Sequence, residues 1–447
     1  MFLARLLVLF SLVCISCAHS SFEQKQLKHA LDFATSNRLE LEILLQHYTY
    51  DSLKLEAAKF LIRNMPHCYS YQQGGEMDSV KRVRTYYSPF GQIDQTYARR
   101  WGHYTYRNLP KIYDAHIITA EYLIDNIDRA FDNWQKRPWN RSLSFEDFCE
   151  YLLPYRIGDE PLEEWRELYE KKYGYLLDSI YKGSDVVEAA NLVSRHLQEP
   201  VFIYCENFEL PHIGPRYLFS HRYGSCVDAA DIVTYAFRAV GIPCMEDTDA
   251  RGGHVWNVVR DTTGRDVPIW YIASEAVRGS RDTGGYKRGK VYRPMYGFQE
   301  EKAAHLGDDW KSMPLLFYHP YMKDVSYAYY PDTLRILTGI PDDEVCYLAH
   351  FHEAHWWSCA CARSASGKME IPNLESELVY LPIKYTKGNY YPSGFPFWFA
   401  GGEINTFLPD WEKTVKVRLY RKYPVYGWLR SFMGHVVGGT FEGSMTK

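Results

Sequence analysis

Two residues in the middle of the chain have the chemistry that breaks acyl bonds: Cys226 and His254. A thiol attacks only as its thiolate, so its free pKa of about 8.5 must fall for it to work near neutral pH. Ser225 precedes the cysteine and Asp228 follows three residues later, a Ser-x-x-Asp capping box that sets Cys226 at the first position of a helix. At that position unpaired backbone N–H groups and the positive end of the helix dipole stabilise a thiolate. A histidine brought against the same helix end can take the proton and form a thiolate–imidazolium pair. Alone, Cys226 reads equally well as a small buried residue, and a lone strand histidine is more often structural. The pair says more than either member.

The elements that must hold this pair can be read from periodicity. Val227, Ala230, Val233, Phe237 and Val240 recur at helical spacing, and Gly241 followed by Pro243 ends the pattern. His254 to Val259 has the β-branched and aromatic content of a strand, and Asp261 to Gly264 supplies a hairpin turn. A turn centred on Thr262 to Gly264 sets His254 opposite Tyr271 or Ala273, and the two-residue period then brings Glu275 to the same face. Glu275 is the carboxylate expected to orient the imidazole. A slip of one residue substitutes Ser274, which carries no charge, and Asp266 lies too near the turn to reach.

G-x-C-x-x-x-A from Gly224, then R-A-x-G-I-P, then G-H-x-W-N ending at Asn257, resembles the core of the transglutaminase-like superfamily. The resemblance implies a papain-like fold with a Cys-His-Asp triad, Cys226 as nucleophile and His254 as base. It also implies an aspartate on the next strand, shortly after a tryptophan. Here Trp270 is followed by Tyr-Ile-Ala-Ser-Glu275, so the family's aspartate is missing and Glu275 stands in its place. Met65 to Tyr69, Phe148 to Arg156 and Glu160 to Arg166 are similar to segments that precede such a core in bacterial surface proteins. The implied activity is acyl transfer from an amide in a peptide, protein or glycopeptide. Hydrolysis is favoured over amine transfer because it needs only water. The competing expectation is a catalytically weak or inactive scaffold that binds protein or glycan ligands.

The remaining chain frames this centre. Arg5, the apolar run Leu6 to Val13, and Cys14-Ile-Ser-Cys17 read as an export signal over residues 1–17 ending in a lipobox, with Cys17 as the lipid-bearing residue. A lipid-anchored protein of the bacterial cell envelope follows, and the run is shorter than the roughly 20 residues of a membrane span. Residues 18–199 read as a helical region, 200–300 as the core and 301–447 as β-sandwich structure, an α+β chain overall. Helical stripes run through Leu55 to Ile62 behind Asp51, through Ala120 to Trp134, through Leu162 to Ile180 and through Asp185 to Leu197. Tyr71 to Ile112 is an aperiodic excursion, and Arg156 and Arg166 are expected to be structural. Strands are expected at Val345 to His350, Leu378 to Tyr385 and Thr414 to Tyr420, and Gly438 to Gly443 resembles the start of an incomplete β element.

A net charge of −4 makes nucleic acid an improbable partner. The ten cysteines are irregularly spaced and show no disulfide framework. His350, His352 and His355 lie in HFHEAH, which is not the helical H-E-x-x-H pattern, so no metal and no cofactor is expected.

Overall fold

The computed structural model describes residues 21–75, 77–81, 106–199, 202–204, 210–250, 253–270, 275–281, 287–299, 313–337, 342, 344–352, 355–408, 414–418 and 440–444. The segment expected to be an export signal, Cys17, Tyr271, Ala273 and Ser274 lie outside the described residues. The chain is α+β, as its patterning predicts.

Helix α1 (Arg38–His47), α2 (Ser52–Asn64) and, after the short antiparallel pair β1 (Tyr69–Tyr71) and β2 (Lys111–Tyr113), α3 (Ala120–Lys136) and α4 (Phe145–Tyr151) form the first layer. Asp51 caps α2 by accepting the Lys54 N–H at 3.1 Å, and Thr119 caps α3 by accepting that of Tyr122 at 3.2 Å. Their apolar faces close over Leu41, Leu61, Leu123, Ile127, Phe131 and Phe148. The aperiodic stretch after Tyr71 leaves and returns through the β1–β2 pair, and residues 82–105 within it lie outside the described residues.

Helix α5 (Arg166–Tyr175) runs on into a π turn, Leu176–Ile180, and Asp185 caps α6 (Val186–Leu197). These helices do not belong with the first layer. Tyr169, Tyr173, Ala190 and Val193 share a core with Ile232, Val233, Tyr235 and Ala236 of the central helix, so a boundary at residue 199 cuts through one hydrophobic cluster. The short parallel pair β3 (Ile203–Tyr204) and β4 (Tyr223–Gly224), with α7 (Pro215–Ser220) between them, leads into α8 (Cys226–Ala239).

α8 lies on a five-stranded antiparallel sheet made of β5 (Cys244–Asp249), β6 (Val255–Arg260), β7 (Asp266–Ile269), β8 (Val291–Pro294) and β9 (Met322–Asp324) in the order β7-β6-β5-β8-β9. The sheet takes its edge strand from beyond residue 300, where the sequence reading ended the core. Beyond it, β10 (Asp332–Leu337), β11 (Val345–His352), β12 (His355–Arg363), β13 (Lys368–Leu374), β14 (Leu378–Thr386), β15 (Asn389–Pro392), β16 (Phe397–Ala400) and β17 (Glu403–Thr406) form a six-stranded sheet and a separate β10–β13 ribbon. Leu334 and Ile371 of the ribbon pack on Leu348, Tyr380 and Phe399 of the sheet. A last antiparallel pair joins β18 (Thr414–Arg418) to β19 (Thr440–Ser444). Among the described residues, no helix is long and apolar enough to cross a membrane.

Candidate active site

Cys226 opens α8, as the capping box predicts. The Ser225 N–H donates to Asp228 Oδ2 at 2.7 Å and its hydroxyl to the same oxygen at 3.0 Å. The cysteine is 6% exposed, and Asp228 is buried beneath it. At the other end, α8 is held by side chains from the first layer. Asn133 Nδ2 donates to the Ala239 carbonyl at 3.1 Å, Arg137 Nε to that of Val240 at 2.8 Å, and Trp139 Nε1 to that of Gly241 at 2.9 Å. These donors satisfy carbonyls that a helix end leaves without partners. Gly241 adopts φ +81°, and a Cβ there would lie 2.8 Å from the Asn133 backbone oxygen, so conformation and space both require glycine.

The helix descends along β5 and β6. Arg238 reaches the Cys244 carbonyl, Thr234 donates to Glu246 Oε1 at 2.7 Å, and Asn257 Nδ2 donates to the Ala230 carbonyl at 3.0 Å. One more turn beyond Ala230 carries the helix to Cys226, and β6 starts at Val255. His254 stands at that start and is 7% exposed.

The β5–β6 ladder pairs Thr248 with Val255, so the next pair is Asp249 with His254. The Asp249 N–H donates to the His254 carbonyl at 3.2 Å, and Thr248 Oγ1 donates to it at 3.0 Å. Residues directly opposite share a face with Cβ atoms about 5 Å apart. Asp249 is buried, and its Oδ1 accepts the Gly253 N–H at 2.9 Å. The His254 ring lies 5.6 Å from that of Trp256 and 6.0 Å from that of Trp270.

Glu275 is the sequence expectation that this geometry corrects. The β6–β7 ladder pairs Asn257 with Ile269 and Arg260 with Asp266, and the expected pairing of His254 with Tyr271 or Ala273 falls on residues outside the described ones. Glu275 is instead exposed on the surface, with its carboxylate 2.6 Å from Arg195 Nη1 of α6. Asp249, the cross-strand neighbour of His254, lies on the strand before the histidine, whereas the orienting carboxylate was expected on the strand after it. A signal was present, an acidic residue ending one strand five positions before a histidine that opens the next.

More acids lie under α8. His212 Nδ1 contacts both oxygens of Asp231, at 3.0 and 2.9 Å. Burial lowers the imidazole's proton affinity, but Asp231 and the nearby Asp159 and Glu160 outweigh it and raise its pKa well above the usual 6.5. Burial pushes Asp231 up to about 6 against the opposing pull of His212. Burial, with the Asp231 charge added, pushes Glu246 up to about 8. On the far face of the sheet Arg293 binds Asp247 at 2.6 Å and Asp266 at 2.7 Å, and Tyr329 links Asp247 to the Trp256 indole. Arg156 pairs with buried Asp114, and Arg166 is spent on Asn126 and the carbonyls of Leu152, Leu153 and Pro154. Both arginines are structural, as expected from the sequence.

His350 and His352 stand in β11 and His355 opens β12, a strand setting as expected. Among the described residues no three His, Cys, Asp or Glu side chains gather as a metal would require. No family model, curated protein or solved structure matches the chain.

Proposed function

We propose that the chain is an exported transglutaminase-like cysteine acyl-transfer enzyme that hydrolyses a peptide or other amide bond. The observation that carries this reading is that Cys226 is the first residue of the central helix, with His254 and its cross-strand neighbour Asp249 on the sheet which that helix packs against. His254 takes the thiol proton, and the Cys226 sulfur adds to the amide carbonyl carbon. The resulting oxyanion is met by backbone N–H groups at the first turn of α8, including that of Cys226. As the C–N bond breaks, His254 returns its proton to the leaving amine, and a thioester remains. Water then adds, with His254 taking its proton, and the carboxylic acid departs as the sulfur regains a proton. Asp249, in the role first expected of Glu275, holds the imidazole and stabilises its cation. Trp256 and Trp270 flank the imidazole with apolar surface. A peptide, protein or glycopeptide in the bacterial cell envelope is the substrate class, and a lipid on Cys17 is the anchor. Loss of the protein from the membrane fraction in Cys17→Ser tests that address.

A second reading is favoured by one observation. Strict strand alternation groups His254 with Trp256, on the side of the sheet opposite Asn257 and α8. A non-catalytic protein that binds protein or glycan ligands on this fold is consistent with that alternation.

Alkylation of Cys226 by iodoacetamide against pH, followed peptide by peptide, separates the two. The enzyme reading expects rapid modification well below the free thiol pKa of about 8.5. It also expects the low-pH reactivity to be lost in His254→Ala and reduced in Asp249→Asn, with Glu275→Gln unchanged. An inert Cys226, or one reacting only as an ordinary thiol, establishes the scaffold reading.

A further inference from the structure

A surface cleft of about 500 Å³ opens on the first layer's side of α5, lined by Lys136, Arg137, Trp139, Asp178, Tyr181 and Lys182 among others. It shares no residue with the proposed active site and owes nothing to that reading. Asp178 projects from the π turn, a local geometry frequent at functional sites. Its carboxylate lies 2.7 Å from Lys136 Nζ and 2.8 Å from Arg137 Nη1, and Lys182 Nζ donates to its backbone carbonyl at 2.8 Å. The three cations lining the cleft thus exceed its one acid by two charges.

Arg137 shows what is missing. Its side chain is 4% exposed, Nε holds the Val240 carbonyl and Nη1 holds Asp178, yet Nη2 has no partner. A buried guanidinium N–H without an acceptor is a costly arrangement. An anion in the cleft balances the excess charge of the side chains that line it. A phosphate group fits best, since its charge of about −1.5 to −2 near neutral pH matches that excess. Guanidinium and ammonium groups are the side chains that bind it. A single carboxylate leaves one cation uncompensated.

We propose that this cleft binds a phosphate group, as inorganic phosphate or as the terminal group of a small phosphomonoester. The test is thermal unfolding of the full chain in rising sodium phosphate against sodium chloride of equal ionic strength. Phosphate at about ten times its dissociation constant is expected to raise Tm by about 2 °C. The rise should vanish in the exposed double variant Lys136→Gln/Lys182→Gln and return in Lys136→Arg/Lys182→Arg, which keeps the charges. Equal shifts in both salts, or a phosphate shift retained by the glutamine variant, overturn the proposal. So does binding to phosphatidic acid vesicles with no response to free phosphate, which assigns the cations to a lipid headgroup.

Discussion

Glu246 lies on the sheet face that α8 covers, 8% exposed, with the Thr234 hydroxyl as its donor and Asp231 as a charged neighbour. Burial, and then the Asp231 charge, favour its neutral form and push its pKa up from 4.5 to about 8. A carboxyl whose folded pKa is raised contributes stability that is fully present below the unfolded value. That contribution is lost as pH rises from about 4.5 through the folded value of about 8. Glu246→Gln keeps the oxygen that accepts from Thr234 and cannot ionise. The variant is therefore expected to show a flatter decline in stability over this window. At pH values above about 8 it should exceed the parent by about 2 kcal/mol or more. Urea unfolding at a series of pH values measures it, and parallel curves for the two proteins would remove Glu246 as the cause.

At the scale of the element, α8 is fixed from its C-terminal end by Asn133, Arg137, Trp139 and Asn140, residues about a hundred positions upstream. Asn133→Ala deletes one donor to the last turn and leaves the Ala239 carbonyl buried. The expected cost is about 1 to 3 kcal/mol in unfolding free energy. If Cys226 is positioned by the helix as a rigid body, its alkylation rate changes less than tenfold, about 1.4 kcal/mol in barrier. A native-like urea midpoint in this variant would show that the clamp contributes little. The β hairpins follow a different rule. Lys387-Gly388 and Gly401-Gly402 connect β14 to β15 and β16 to β17, each with positive φ at both positions, as a two-residue turn of type I′ requires. Ser366-Gly367 turns the chain in the same way before β13.

Across the whole molecule, the first layer is joined to the sheet through the clamp on α8, through α4, where Tyr151 donates to Asp266 and Asp147 pairs with Arg260, and by chain returning from β8. Tyr296 and Gly297 donate their backbone N–H groups to Glu150, and Phe298 donates to Asn64 Oδ1 at 2.9 Å. The Tyr296 ring sits in the first layer's own core. Removal of residues up to 199 strips α8 of its C-terminal donors and of α5 and α6, which complete its hydrophobic cluster. The truncated chain is expected to lose cooperative unfolding by calorimetry. A sharp transition in it would show that the core from residue 200 folds alone.

Much of this was legible because it is local. The capping box at Ser225 and Asp228, the stop at Gly241, the caps at Asp51 and Asp185, and the glycine turns of the β region all depend on residues within a few positions of one another. The resemblance drew attention to Cys226 and His254, and side-chain alternation then made Glu275 look like the third member. That inference depended on register, and Glu275 stands exposed at the surface beside Arg195. Asp249 could be recognised only once β5 was paired with β6, and His212 only once its loop was packed on Asp231. Likewise the boundary at residue 199 marks a change in pattern along the chain, while the core it divides is set by which apolar faces meet in space. The sequence by itself determined the α+β class, the helix that opens at Cys226 and the turns, because propensity and capping act over a few residues. Only the tertiary structure decided the histidine's partner, the buried acids under α8 and the cationic cleft, because pairing register and burial are set by segments far apart in the chain.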